Sequence, residues 1–409
     1  MTQAALVAGQ HGEGMAVWRA TFAGLSASLV GIGLARFAYT PLIPALIAAG
    51  WMSPGEAAYI GAANLAGYLA GAILARPMAA RFPVAAVLRA MMLLATVSFF
   101  TCAFPLSFWW FFVWRGAAGI AGGVLMVLAA PAVLPLVPAA RRGLASGVMF
   151  TGIGIGVVLS GTLVPLLLRS GLVATWCGIG ALALAMTVAA WRGWPAASAA
   201  IPGVAAAAPD QYRLARAAGL AVLALYLAYA LDASGIVPHM VFLADFVARG
   251  LDQGVAAGAH AWVLFGLGAA IGPTVTGYLG DRIGFGRGLR LAFLVQAACV
   301  GLIGMSGDTI AVAVSSLVVG ALAPGIVPLA LGRIHELIGD TAGRQAAWRR
   351  STVAFALGQA VAGYGFSFLL AEGVGYPTVF LLAAGALIAA LALDLALSAH
   401  LPGRRGAER

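Results

Sequence analysis

From residue 20 to residue 398 the sequence is a succession of apolar stretches separated by short breaks rich in Arg, Pro or Gly. A hydrocarbon core about 30 Å thick needs about 20 apolar residues per helix, because lipid offers no partner for a free backbone N–H or C=O. Stretches of that kind fall at 20–49, 56–75, 84–104, 108–136, 144–168, 172–191, 214–244, 255–280, 288–306, 309–332, 351–371 and 375–398. The pattern predicts an all-α polytopic membrane protein with twelve transmembrane helices. Composition agrees, since 62% of the residues are hydrophobic and 9% charged, against about 25% charged in a soluble domain. The opening residues lead into a run too long for a signal-peptide core, with no small-residue cleavage site after it, so the first helix is expected to be retained.

The placement of arginine orients the helices. All 23 basic residues are Arg, and the net charge is +10. With both termini cytoplasmic, 19 arginines fall on the inner side and only two, Arg169 and Arg249, on the outer. That is the positive-inside asymmetry, and an odd number of crossings would destroy it. The basic charges are scattered over loops, which excludes a nucleic-acid face. Cys102, Cys177 and Cys299 lie apart in apolar segments, so neither a disulfide framework nor a metal centre is expected. The five histidines are equally dispersed, and no phosphate loop or nucleophile–base set is present. An enzyme, a metal site and a cofactor are therefore not expected. A channel would show repeated pore-lining rings, which are missing.

The stretch "RGWPAASAAIPGVAAAAPDQYR", 192–213, is Ala- and Pro-rich and has no apolar period. It reads as a cytoplasmic linker between a six-helix unit over 1–191 and a second over 214–409. The halves echo one another. "GAILARP" (71–77) ends the second span and "GYLGDRIG" (277–284) ends the eighth, while "RRG" (141–143) and "RRS" (349–351) precede the fifth and eleventh. In the first span Arg36 is followed by Pro41, and in the seventh Asp232 is followed by Pro238. Weak internal symmetry of this kind marks transporters built from repeats.

"GYLGDRIGFGR" (277–287) is similar to the loop signature of the major facilitator superfamily (MFS), and "RGAAGIAGG" (115–123) to its Arg-x-x-x-Gly pattern. "LARFAYTPLIP" (34–44) resembles the opening helix of the YbfB/YjiJ-type branch. Two departures stand out. Ala75 replaces the signature Asp in the first copy of the loop, and the fifth span, "GVMFTGIGIGVVLSG", lacks the Gly-Pro pair of the antiporter signature. The resemblance implies two pseudo-symmetric bundles in a bacterial inner membrane, with spans one, four, seven and ten lining a central cavity. It also links the Arg115 position to proton coupling.

Within the loop, Gly277 and Gly284 are expected to allow close helix approach and a tight turn. Asp281, beside Arg282, is expected to clasp the start of the fifth span near Arg141 and Arg142, closing the inner side. A solvated turn without a switching role is the other reading.

Ionisable groups within a membrane are costly and face a bundle interior or a wet cavity. Three stand out: Arg36, Arg115 and Asp232. Arg36 and Asp232 lie 17 and 16 residues past Arg19 and Arg216, near mid-membrane at about 1.5 Å per residue. Each proline removes a helix donor just beyond the charge and frees backbone groups. Arg36 can bind a carboxylate through its planar fork, with Tyr39 and Thr40 orienting the ligand from i+3 and i+4. It can instead pair with Asp232 and hold the halves together. Arg115, beside Trp109, Trp110 and Trp114, either joins the site or snorkels to the outer interface. Asp232 is the candidate proton carrier, since burial favours its neutral acid and a neighbouring arginine its carboxylate. His239 is its candidate relay. Asn64 and Gln359 read as interhelical hydrogen bonders.

These residues predict a monomeric, proton-coupled secondary transporter of a small anionic or zwitterionic solute. A proton-driven exporter of amphipathic compounds is the alternative, and substrate-dependent uptake driven by a pH gradient separates either from a channel.

Overall fold

The computed structural model describes residues 3–138, 142–195 and 216–398, without the side chains of 3–14, 142–144, 146, 216–218, 341, 342, 345, 397 and 398. Arg141, the Arg142 side chain, most of the linker and the tail arginines lie outside the described residues. Within them the chain is helical throughout, with no strand. Among the described residues, eleven helices are long and apolar enough to cross a membrane.

The first segment is α1 (Gln3–Ser28), a π-helical stretch (Leu29–Leu34), an irregular turn, a 3-10 turn (Thr40–Leu42) and α2 (Ile43–Ala48). Then follow α3 (Pro54–Arg81), α4 (Val84–Thr101), α5 (Phe108–Val133), α6 (Arg142–Leu168) and α7 (Leu172–Ala190). The seventh segment is α8 (Arg216–Gly235), α9 (Val237–Val241), α10 (Leu243–Asp245) and a π-helical stretch (Phe246–Gly250). The series closes with α11 (Gly254–Ile283), α12 (Phe285–Met305), α13 (Thr309–Leu337), α14 (Thr341–Ala371) and α15 (Tyr376–Ser398).

Two spans read as continuous helices are therefore broken. The first is broken after Ser28 and again at 35–39, and the seventh after Gly235, ahead of Pro238, which has no N–H to give the ladder. Other helices outrun their apolar stretches. α14 begins ten residues before 351, where Asp340 caps it by accepting from the Gly343 N–H at 2.6 Å. Hydropathy stops at the first arginine, but the backbone ladder does not. At the opposite face a capping box starts α3, with Glu56 accepting from the Ser53 N–H at 2.7 Å.

Glycines let backbones touch. A Cβ on Gly67 would lie 2.1 Å from the Gly116 carbonyl oxygen, and one on Gly71 would lie 2.2 Å from that of Ile120, so α3 and α5 meet without side chains between them. Gly268 and Gly272 seat α11 on α13 in the same way, at 2.1 and 1.9 Å from the Leu317 and Ala321 oxygens. Small residues replace the hydrophobic drive that helices lack in lipid. The remaining contacts also repeat: α4 packs on α7 as α12 does on α15, and α1 on α6 as α8 does on α14.

The parts of the chain before and after the linker meet along α3–α14 and α6–α11. The hydrogen bonds and ring contacts between these halves through Arg36, Phe37, Thr40, Tyr59 and Trp262 lie from the level of Arg36 toward the arginine-poor side. Tyr59 and Tyr364 meet there at 6.4 Å, and a Cβ on Gly154 would lie 2.8 Å from Ala270. Gly147 and Gly277, nearer the arginine-rich ends of α6 and α11, have nothing within 4 Å of a Cβ. The close approach expected at Gly277 is thus absent. Gly280 makes it instead, against Phe285 and Leu329, because it falls on the face of α11 turned toward its own half. Gly284 does make the tight turn, at φ +86°.

Candidate functional site

The first segment carries Pro41 and Pro44, two positions that cannot donate to a helix ladder. Its backbone shifts register before them: the Ala35 N–H donates to Val30 five residues back, and the Leu42 N–H to Tyr39 three residues back. The Ala35 carbonyl is taken by Arg115 Nη1 at 2.6 Å, and the Arg36 carbonyl by Arg115 Nη2 at 3.4 Å. Asn64 Nδ2 adds bonds to the Ala35 carbonyl at 3.4 Å and the Arg115 carbonyl at 3.0 Å. The Arg115 guanidinium also lies 4.9 Å from the Tyr39 ring centre.

Arg115 is 1% exposed, so it does not snorkel. Both terminal nitrogens are committed to the carbonyls of the broken first segment, while its buried Nε has no partner among the described residues. Asn64 is an interhelical hydrogen bonder, tying α3 to the first segment and to α5.

Tyr39 and Thr40 do not share a helical face with Arg36, because residues 35–39 form a turn. The Tyr39 hydroxyl donates to the Ala57 carbonyl at 2.9 Å. The Thr40 hydroxyl donates across the halves to the Met240 carbonyl at 2.6 Å, taking a backbone acceptor beside the break in the seventh segment.

Arg36 is half-buried and reaches the opposite half. Its Nη2 donates to Gln359 Oε1 at 2.6 Å and lies 4.0 Å from Met240 Sδ. The guanidinium stacks over Tyr68 at 5.0 Å and Phe37 at 5.5 Å. Nη1 donates to no described residue. Around these groups is a cavity of about 10 Å³, lined by Arg36, Tyr39, Thr40, Asn64, Arg115 and Met240 among others, with room for about one water.

Asp232 is not there to meet Arg36. None of the ion pairs among the described residues joins them, and Asp232 is fully buried with both carboxyl oxygens lacking a hydrogen-bond partner. The mirrored sequence positions do not bring the two headgroups together, because the partner Arg36 finds across the halves is on α14 rather than α8. His239 also turns into its own half. Its Nε2 is 2.8 Å from the Ser315 hydroxyl, which itself donates to the Cys299 carbonyl at 2.6 Å. Ser315 has one proton and spends it on Cys299, so His239 carries its own on Nε2 and leaves Nδ1 bare and buried.

Around the signature loop, Asp281 and Arg282 are exposed. Asp281 bonds no described residue, and its expected partners at 141 and 142 lie outside the described side chains. Arg282 lies over the Tyr278 ring at 4.9 Å. A different helix start, that of α12, has a carboxylate: Glu336 of α13 accepts from the Phe285 N–H at 2.8 Å and pairs with Arg333 at 2.8 Å.

A family model described as "Uncharacterised MFS-type transporter YbfB" matches residues 28–395. The chain belongs to this family. It is an MFS-type transporter with multiple membrane-crossing helices. No curated protein matches it. In this MFS-type chain the first, fourth, seventh and tenth segments each place a polar group in the interior: Arg36, Arg115, Asp232 and Ser315.

Sequence reasoning missed Tyr68, Met240 and the role of Gln359 as the partner of Arg36. An amide among apolar residues flagged Gln359, but nothing in the spacing tied α14 to the first segment. Also missed was a cluster on the arginine-poor side. Arg249 grips Asp245 through both oxygens at 2.5 Å, and the Tyr376 hydroxyl donates to Asp245 while accepting from Arg249 at 3.0 Å. The i, i+4 spacing of Asp245 and Arg249 was its one legible sign.

Proposed function

We propose that this chain is a proton-coupled secondary transporter of a small anionic or zwitterionic solute, working by alternating access across a bacterial inner membrane. In this reading the chain crosses twelve times as two six-helix bundles joined by the linker, with both termini cytoplasmic, and acts as a monomer. Contacts concentrated on the arginine-poor side, with Gly147 and Gly277 uncovered on the other, suit an arrangement closed outside and open to the cytoplasm.

The observation that carries the substrate class is Arg36. It is half-buried at a helix break between the halves, has an uncommitted Nη1, and has Nη2 on a neutral amide oxygen that a carboxylate can displace. A guanidinium–carboxylate bond, with both partners charged, exceeds the guanidinium–amide bond it replaces, so an arriving anion releases Gln359 and with it a bond between the halves. Arg115 stabilises the break and leaves Arg36 as the ligand-facing cation. Asp232 supports the proton reading: a carboxyl without a donor in an apolar interior is held as the neutral acid. Rocking of the halves that admits water to Asp232 lets that proton leave. His239 stands on the same broken segment farther along, where a bare Nδ1 can accept a proton.

The test is uptake by the full-length chain in liposomes under an imposed pH gradient, with a panel of small carboxylates and amino acids against cations of the same size. Saturable, gradient-dependent accumulation of anions or zwitterions is expected. Unitary currents, or uptake indifferent to the gradient, would overturn the reading.

A further inference from the structure

On the arginine-rich side, α7 ends in a turn over Trp191–Trp194 that folds back on α1. Gly193 makes this possible, since a Cβ there would lie 2.4 Å from the Arg19 carbonyl oxygen and 2.9 Å from the Ala23 side chain. Trp194 is driven inward to 4% exposure beside it. The turn brings Arg192 next to Arg19 around a cavity of about 490 Å³, walled by Trp18, Phe22, Val188 and Trp191. Arg89, from α4, braces the turn, with its Nε donating to the Trp191 carbonyl at 2.9 Å and its guanidinium 5.4 Å from the Trp191 ring centre.

Neither Arg19 nor Arg192 has a hydrogen bond or ion pair to any described residue. Both are exposed, and two like charges held together by a backbone contact, with no described carboxylate between them, give the cavity a positive field that attracts an anion. Depth and lining say which anion. Trp18 is 60% exposed and Trp191 38%, placing amphipathic rings at the headgroup level, while Phe22 and Val188 continue toward the acyl region. We infer that this cavity binds the phosphate of an anionic phospholipid such as phosphatidylglycerol, with Arg19 and Arg192 on the phosphate and the tryptophans against the glycerol and upper chains. The site is separate from the one at Arg36 and holds whether or not that reading stands. A lipid seated there joins the first segment to α7 and so braces the outer wall of the half that carries the helix break.

The experiment is native mass spectrometry and thermal unfolding of the full chain, delipidated and titrated with phosphatidylglycerol, phosphatidylcholine or inorganic phosphate. Wild type is expected to retain phosphatidylglycerol over phosphatidylcholine and to unfold at higher temperature with it. The Arg19→Gln/Arg192→Gln double variant is expected to bind it about thirtyfold more weakly, about fivefold per arginine. Arg19→Lys/Arg192→Lys guards against misfolding, because it keeps the charge and should keep most of the preference. Equal retention of the two lipids, an unchanged double variant, or equal protection by inorganic phosphate would each overturn the assignment.

Discussion

The first and seventh segments are two versions of one idea with different chemistry. Each carries an ionisable residue near mid-membrane, a proline a few residues later, and a break in the helix between or near them. In the first, Arg115 of α5 fills the backbone acceptors that the break exposes, and the charged residue is left to reach across to Gln359. In the seventh, the corresponding region of α13 offers Ser315, which holds His239, while Asp232 is sealed without a partner. A repeated backbone break thus supports a cation that faces the other half and a carboxyl that faces nothing polar. The position at which the helix yields recurs in the two segments, while the side chains around it settle what the break is used for.

The comparison breaks most readily at Arg115. Arg115→Ala strands the Ala35 carbonyl and leaves a buried space, so thermal unfolding should show a loss of about 3 kcal/mol or more, from lost charged hydrogen bonds and a cavity together. Arg115→Lys should recover part of that loss, because one ammonium cannot follow two carbonyls as a planar fork does. Arg36→Ala should behave in the opposite way. Binding of an anionic solute should weaken about a hundredfold, for the loss of about 3 kcal/mol of charge-assisted bonding. Its thermal unfolding without solute should move far less than that of the Arg115 variants. A stability loss equal to theirs would make Arg36 a structural clamp as well.

Gln359→Glu sharpens the cross-half contact. A carboxylate 2.6 Å from Arg36 would occupy the anion position from within the protein. Anion affinity should then fall about tenfold while the resting closure gains stability, measured by solute-induced thermal shift. Asp232→Asn is nearly isosteric with the neutral acid and has no ion pair to lose. Folding should change by less than about 1 kcal/mol, while uptake driven by a pH gradient disappears and solute exchange persists. Lost folding in that variant would mean that the carboxylate is ionised and partnered. Ser315→Ala removes the hydroxyl's bonds to both His239 and the Cys299 carbonyl, for about 2 kcal/mol in thermal unfolding.

Much of the fold was legible in the sequence because it rests on local quantities. Apolar length and the prolines at 41 and 238 act over a turn or two of helix, and the structure puts helices over the apolar stretches and breaks near those prolines. Arg36, Arg115 and Asp232 were likewise visible as charges where lipid forbids them. What failed was inference from one helix to another. Tyr39 and Thr40 do line the cavity at Arg36, but their hydroxyls are spent on the Ala57 and Met240 carbonyls, which helical periodicity could not show. Gly277 was given a packing role that belongs to Gly280, because spacing along a helix does not say which face meets a neighbour.

The sequence by itself determined that this chain spans a membrane, how often its apolar stretches recur, which residues cannot rest in lipid, and where proline weakens the ladder. Only the tertiary structure decided that Arg115 is spent on backbone carbonyls, that Gln359 rather than Asp232 answers Arg36, and that Arg19 and Arg192 share a cavity. The reason is the range of the forces involved. Burial and backbone hydrogen bonding act through neighbours in the chain, whereas a guanidinium chooses among acceptors brought within about 3 Å of it by helices hundreds of residues apart in sequence.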